Sequence, residues 1–335
     1  MTFSQGIWVV GATFGAHYAR ALHGAGLRAI IGRGGERGRQ LAKVLACDYF
    51  ADLQQALEQA RPACAVVAVR SAIVGGEGDD IARRLLQAGV PVLQELPVHP
   101  HELVNTLKTA QQQGVRFDVT PFYDQMPSVR RFIRAAGRLS LISPLRSVEM
   151  RVSVQTLHCA LMVLSEVLGA PSSSISATPM AAGEKILMGS RWHDVAVDIV
   201  LMNRFDAISP DDNAQPLMHI TLLSDEGELT LHSPFGPVIW ERRLPPSGET
   251  DDPPILTSPL AHTALQRDMA SAIRATLHRF MAAESSDGAR QQRQLAVLQL
   301  WQAMCARAGH PQQCRLAAPM AVGNFLGLSD REEER

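Results

Sequence analysis

The sequence predicts an α/β protein: a doubly wound parallel sheet at the N-terminus, then an α+β region with an open, mainly antiparallel sheet. Three observations predict it. The first 120 residues alternate short apolar runs with helical stretches, the pattern of right-handed strand–helix–strand crossovers. A glycine-rich turn follows the first apolar run directly. Beyond Tyr123 the strands come instead as neighbouring alternating runs and a hairpin signal. At 335 residues, two domains are the natural expectation, divided as 1–121 and 122–328 with a disordered charged tail over 329–335.

In chain order, Ile7–Val10 reads as a strand, Gly11–Gly15 as a turn, and the residues to Leu22 as a helix. Leu27–Ile31 is a second strand and Arg37–Leu45 a helix. Ala65–Val69 is a continuous apolar run, as in a strand buried on both faces. Asp80–Gln87 reads as a helix closing at Gly89, Val90–Gln94 as a strand, Glu102–Gln112 as a helix and Arg116–Thr120 as a strand. Ser147–Val154 alternates like a half-buried strand, and Leu157–Leu168 is an apolar helix. Val195–Met202 is a strand, Leu217–Ser224 and Leu229–His232 flank the hairpin turn Asp225-Glu226-Gly227, and Val238–Trp240 extends that sheet. Thr263–Met281 and Arg290–Ala306 read as amphipathic helices, and Pro245–Pro259 as a long surface loop.

Composition excludes several classes. Residues are 46% hydrophobic and 19% charged, against disorder, and the net charge of −1 supplies no field for nucleic acid or an anionic membrane. No apolar run reaches the ~20 residues of a bilayer span, and the N-terminus lacks the basic start of a signal peptide. The five scattered cysteines form no C-x-x-C pair and read as reduced thiols of a cytoplasmic protein. Asp211 and Asp212 read as a turn, with no His or Cys cluster to make a metal site.

The turn Gly11-Ala12-Thr13-Phe14-Gly15 carries the first chemical signal. A dinucleotide needs a glycine for the tight turn, close backbone approach to the pyrophosphate, and a helix N-terminus aimed at the anion. Gly11 fits the first role; Thr13 stands at the second glycine position and Ala16 at the third, one place after Gly15. The end of the second strand, where an acid would hold the ribose hydroxyls of NADH, reads Ile31-Gly32-Arg33-Gly34-Gly35-Glu36-Arg37. With Arg33 in the acid's place, and Gly34 and Arg37 beside it, the loop favours a 2′-phosphate and hence NADPH. Val69-Arg70-Ser71 and Glu95-Leu96 end later strands, on the edge where such sheets gather ligands.

These segments resemble the Gfo/Idh/MocA oxidoreductases, which join a Rossmann domain to an antiparallel-sheet domain. Within them the chain is similar to the thiazolinyl imine reductases of siderophore assembly. The resemblance rests on Val10–Gly15, Val69-Arg70-Ser71 with Gly75-Gly76, Gln94-Glu95-x-Pro97-x-His99-Pro100, Phe122-Tyr123, Asn203-Arg204, Pro210–Asn213, His219, and Gly236-Pro237-Val238 with Trp240. It implies NADPH-dependent reduction of a thiazoline C=N to a thiazolidine, on an intermediate tethered to a peptidyl carrier protein of the yersiniabactin or pyochelin type, by a homodimer. It also implies Lys or His at the middle of Glu-x-Pro, where this chain has Leu96. None of its three lysines, Lys43, Lys108 and Lys185, lies there.

With Leu96 unable to donate a proton, the expected acid is Tyr123, which follows the strand Arg116–Thr120 at the border between the domains and matches the tyrosine that the resemblance implies as a proton donor; a phenol of pKa ~10 stays protonated at neutral pH. His99 is the second candidate, His101 reads as a solvated capping residue, and His158 and Asn203 are candidate substrate contacts. Arg204 and His219 read as residues ordering the sheet. Two alternatives stay open: another NADP-dependent oxidoreductase of the superfamily, and a catalytically impaired NADPH-binding scaffold.

Overall fold

A computed structural model describes residues 6–71, 75–172, 174–175, 180–182, 185–206, 214–243, 255–257, 265–282 and 287–315. The expectations for Pro210–Asn213, for most of Pro245–Pro259 and for the tail 329–335 fall outside them.

The N-terminal part builds β1 (Ile7–Val10), α1 (Gly15–Leu22), β2 (Leu27–Ile31), α2 (Glu36–Val44), β3 (Asp48–Phe50), α3 (Leu53–Gln59), β4 (Cys64–Val67), α4 (Gly78–Gln87), β5 (Val92–Glu95), α5 (Pro100–Gln113) and β6 (Phe117–Thr120). The strands form one parallel sheet in the order β3-β2-β1-β4-β5-β6. β1 and β4 are buried along their whole length, as strands covered by helices on both faces must be. The chain reverses direction of winding between β1 and β4, so their carboxyl ends open the crevice where an α/β sheet takes a ligand. β3 and α3 carry no sequence expectation. Their signal is short, and only the Asp52 side chain, capping α3 by accepting from the Gln55 N–H at 2.9 Å, announces the helix.

A 3₁₀ turn, Tyr123–Gln125, leads into α6 (Pro127–Ile142), β7 (Leu145–Ser153) and α7 (Leu157–Leu168). The strands β8 (Ser174–Ile175), β9 (Met180–Ala182), β10 (Lys185–Trp192), β11 (Val195–Met202), β12 (Arg204–Asp206), β13 (Met218–Ser224), β14 (Gly227–Leu231), β15 (Val238–Arg242) and β16 (Ile255–Thr257) follow. The helices α8 (Leu265–Ala282) and α9 (Gly288–Ala308) and the strand β17 (Gln312–Cys314) complete the described chain. Nine strands form the second sheet, in the order β16-β15-β14-β13-β7-β11-β10-β8 with β9 against β10. Every pairing in it is antiparallel except β7 with β11. β16 lies inside the segment expected to be a loop, and pairs with β15 as an edge strand.

One face of this sheet (Val148, Met150, Val152, Ile199, Leu201, Ile220) is buried in the same apolar cluster as Phe132 of α6 and Leu161 of α7. The opposite face presents Glu149, Arg151, Asp198 and Glu228 to solvent. The C-terminal helices cross back: α8 packs on α1, and α9 on α5 and α7. Asp118 on β6 fastens this crossing by accepting from Arg290 at 3.2 Å and from Gln294 at 2.9 Å. The expected division at 121/122 thus assigns to the second region two helices that pack on the first.

Candidate active site

Gly11 makes the first turn possible. Its φ is +103°, and a Cβ there would stand 2.6 Å from the Ala68 carbonyl oxygen at the end of β4. The turn therefore crosses β4 with nothing but backbone between them. Gly15 does the work expected of the third glycine, since its own Cβ would meet Val9 Cγ1 at 3.1 Å, closing α1 onto β1. The first turn of α1 holds no acid and no side chain caps its N–H groups. These donors and the helix dipole point out of the sheet's carboxyl edge, as a pyrophosphate requires. Ala12 and Phe14 are half-buried and Thr13 is exposed.

Beyond β2 the loop carries Arg33, whose side chain is 85% exposed and lies 3.5 Å from Glu77. Arg37 is also exposed, and the Gly34 N–H donates to the Tyr49 hydroxyl at 3.0 Å, which pins the loop. No acid stands between Ile31 and Glu36 in the sequence, and the carboxylate beside Arg33 is that of Glu77. Past β4, Val69 is half-buried and Arg70 exposed, while Ser71 is buried and donates to the Pro97 carbonyl at 2.5 Å. That bond ties the β4 and β5 loops into one wall.

At the end of β5 the Glu95 carboxylate accepts a short hydrogen bond from the Tyr18 hydroxyl of α1. Burial raises Glu95 well above the usual carboxylate range and neighbouring Asp124 raises it further, against the Tyr18 bond, which favours the ionised form. Leu96 is buried in the core, its backbone N–H donating to the Thr120 carbonyl at 3.1 Å. The middle of Glu-x-Pro is thus a packing position in this chain, and Leu96 offers only backbone to a ligand.

Pro121-Phe122-Tyr123 forms a γ-turn of the positive-φ kind. Phe122 has φ 57° and ψ −52°, and the Tyr123 N–H donates to the Pro121 carbonyl at 2.5 Å. Such a conformation costs a bulky residue on the order of 1–3 kcal/mol and persists only when its surroundings impose it. Here they do. The Phe122 ring lies 4.9 Å from Phe14 and 5.9 Å from Tyr18, and its N–H donates to the Thr120 hydroxyl at 3.3 Å. The turn sets Tyr123 at the junction of the two sheets, half-buried, its ring 6.3 Å from Phe235.

Burial, with Cys159 and Glu95 nearby, raises the Tyr123 hydroxyl above its ordinary value, so the phenol stays protonated. Asp124, next in sequence, is buried and accepts from Arg279 of α8 at 3.1 Å, with Arg290 of α9 at 3.9 Å. The C-terminal helices therefore hold the turn that carries Tyr123. Among the described residues no group of three or more His, Cys, Asp or Glu is placed to bind a metal ion.

The remaining candidates lie elsewhere. His99 is the N-cap of α5: its Nδ1 accepts from the His101 N–H at 3.1 Å and its Nε2 lies 2.8 Å from the Gln302 amide. The capping residue is thus His99 and not His101, which lies exposed in the first turn beside Glu102. His158 is buried beside Trp301, its Nε2 3.1 Å from Cys159 Sγ and its Nδ1 without a partner among the described residues. Burial pushes its pKa down to about 3, so it is neutral and within the core. Asn203 is buried and donates to the Ala308 carbonyl at the end of α9 at 3.2 Å.

Tyr18, Phe122, Asp124 and Phe235 join the site without having been singled out from sequence as its members, apart from Phe122 within the Phe122-Tyr123 match. Tyr18, one of three tyrosines and four residues beyond Phe14 on one helix face, is the one a helical wheel could have found.

Comparison with known proteins agrees with this architecture. Residues 6–120 match the Gfo/Idh/MocA oxidoreductase family with its NAD-binding Rossmann fold. Residues 144–241 match the C-terminal region of the thiazolinyl imine reductases of Irp3 type. A Gfo/Idh/MocA family oxidoreductase from Vibrio cholerae superposes with TM-score 0.69 at 14% identity, over 91% of this chain and 98% of that one. The 3-ketoreductase KijD10 from Actinomadura kijaniata, solved with NADP and TDP-benzene, gives 0.65 at 15% identity over 89% and 95%. An Agrobacterium radiobacter oxidoreductase, solved with NAD+, L-tartaric acid and magnesium, gives 0.67 at 11% identity over 89% and 94%. At these identities the likeness is one of fold. No curated protein sequence matches the chain.

Proposed function

The chain belongs to the Gfo/Idh/MocA oxidoreductases, its C-terminal sheet of the Irp3-like thiazolinyl imine reductase kind, and on that premise we propose that it reduces a thiazoline C=N to a thiazolidine with NADPH. The observation that carries the reading is the conjunction of an Irp3-like region over 144–241 with a protonated phenol, Tyr123, held where the two sheets meet. NADPH would supply a hydride to the imine carbon. The protein's part is to hold the dinucleotide and to deliver a proton to nitrogen.

Gly11–Gly15, Arg33, Gly34, Arg37 and the wall Val69-Arg70-Ser71 would hold the cofactor, with Arg33 on the 2′-phosphate. Glu95 and Leu96, at the end of β5, would border its reactive end. Tyr123 supplies the proton: a phenol of raised pKa keeps it until the nitrogen becomes strongly basic, which happens only as the C=N bond is reduced. His99 already spends both ring nitrogens on the α5 cap and Gln302, so the geometry favours Tyr123 over it. The substrate would arrive tethered to a peptidyl carrier protein. A homodimer through the open face of the nine-stranded sheet would cover half-buried Val200 and Leu223, and five free thiols suit the reducing cytoplasm.

The test is oxidation of NADPH by the purified protein with an aryl-thiazoline thioester, against NADP reduction with a panel of polyols. Thiazoline turnover is expected. Polyol turnover alone would transfer the chain to the sugar-type oxidoreductases, and intact NADPH binding without any turnover would make it a scaffold. Tyr123→Phe should lower turnover by about 10²–10⁴-fold, the usual worth of a general acid, with NADPH affinity unchanged. An unaltered rate would remove Tyr123 from the role.

A further inference from the structure

Helix α6 starts two residues after the turn that carries Tyr123, and its first turn lies against the loop beside Phe235. A Cβ on Gly236 would stand 2.8 Å from Ser128 Oγ. The buried side of the helix is Val129, Phe132, Ala136 and Leu139. At 100° per residue, Arg131, Arg134, Arg138, Leu141 and Ile142 fall together on the opposite side, within an arc of about 100°. All five are exposed, Leu141 at 87% and Ile142 at 76%.

The face has no internal neutralisation. The sequence of α6 contains no acid, and Arg130, at the edge of this face about 20° beyond Leu141, reaches Glu166 at 3.8 Å. Arg131, Arg134 and Arg138 make no ion pair among the described residues. A solvated face of a chain with 33 acids and 32 basic residues would be expected to mix signs. Three guanidinium groups unpaired among the described residues, beside two adjacent exposed aliphatic side chains, instead make the elements of an interface: cations to steer and orient, an apolar pair to anchor.

We propose that this face of α6 docks an acidic protein surface, carboxylates around a shallow apolar cleft, and that its occupant is the carrier that brings the substrate. The proposal rests on the reading that the substrate is carrier-tethered. The geometry suits delivery: Arg131 and Arg138 stand about 6 Å and about 17 Å along the helix axis from Pro127, the end nearest Tyr123. A carrier seated there holds its tether along α6 toward the site. The patch is small, and its charges act mainly on encounter rate, as suits a partner that must leave after each turnover.

The experiment compares the full-length protein with the R131E/R134E/R138E variant on one aryl-thiazoline presented two ways: on a phosphopantetheinylated, acidic peptidyl carrier domain, and as a small soluble thioester. Charge reversal should raise KM for the carrier-borne substrate at least about 10-fold, the scale of several interfacial ion pairs, and alter kinetics with the soluble thioester less than about 2-fold. A milder L141S/I142S variant should weaken the same carrier substrate alone. Equal losses on both substrates, or no change with the carrier, would overturn the proposal. So would conversion of a dimer to a monomer in sedimentation, which would assign the face to a second copy, or loss of duplex DNA binding with carrier kinetics intact. If the unaltered protein reduces neither form, the reductase reading fails on its own. Docking is then read from titration with the same carrier domain, where salt-sensitive binding lost in R131E/R134E/R138E supports it and absence of binding refutes it.

Discussion

Replacing Gly11 by alanine tests whether the first turn is built by contact or merely tolerated. The new methyl would meet the Ala68 carbonyl oxygen at 2.6 Å and its carbon at 3.1 Å, backbone atoms at the end of a buried strand that cannot swing away. Two costs follow. An L-residue forced to positive φ loses about 1–2 kcal/mol, and overpacking against fixed atoms adds about 1–3 kcal/mol. Together they come to about 2–5 kcal/mol. Gly114, the C-cap of α5 at φ +62°, isolates the first cost, since a methyl added there would meet nothing within 4 Å. Gly114→Ala should therefore lose only about 1 kcal/mol. Urea denaturation followed by tryptophan fluorescence, to which buried Trp8 on β1 contributes, compares the two, and NADPH titration reports the turn itself. Gly11→Ala should be the costlier by at least about 1 kcal/mol and should lose most of its NADPH affinity. Equal costs for the two variants, with affinity unchanged, would show that the approach of the turn to Ala68 is not what demands glycine.

Three further outcomes are expected. Arg33→Ala should weaken NADPH by about 10- to 100-fold and NADH by less than about 3-fold, as loss of charge-assisted bonds to a phosphate would; equal losses measured by fluorescence titration would count against a 2′-phosphate contact. Glu95 has a folded-state pKa above its unfolded value, so the unfolded chain sheds this proton first and wild-type stability falls as pH rises from about 4.5 toward the folded value. Glu95→Gln does not titrate, and its stability relative to wild type should climb across that window and be flat below it; a pH-independent difference in urea denaturation would contradict the burial argument. Asp124→Ala and Arg279→Ala should couple by about 1–2 kcal/mol in a double-mutant cycle, reduced from a fully buried pair because the Arg279 side chain is 37% exposed. Additive losses would mean that α8 does not hold the Tyr123 turn through this pair.

Where the local pattern was strong, sequence and structure coincide. Leu27–Ile31, Leu157–Leu168 and Val195–Met202 are reproduced residue for residue, because each is a mainly apolar run broken by few polar residues (Arg28; His158, Ser165 and Glu166; Asp198). β10 shows the opposite case. Met188-Gly189-Ser190 has weak strand character by itself, and the strand exists because Lys185–Trp192 pairs along its whole length with β11. α6 carried no expectation although its buried positions 129, 132, 136 and 139 follow a helical period; four arginines and Gly137 blur the contrast between its two sides.

The chain's own residues decided that a glycine turn follows the first strand, that an arginine and no acid ends the second, and that no proton can leave position 96. Those are properties of single residues in short segments, and they survive without any knowledge of contacts. Tertiary structure alone decided that Tyr18 reaches Glu95, that Phe122 is bent into a positive-φ turn by the rings around it, and that Asp124 is fixed by arginines from α8 and α9, some 155 or more positions along the chain. Each depends on groups distant in sequence meeting in a buried, weakly screened space, where a carboxylate or a strained backbone is set by its neighbours more than by its own intrinsic preference.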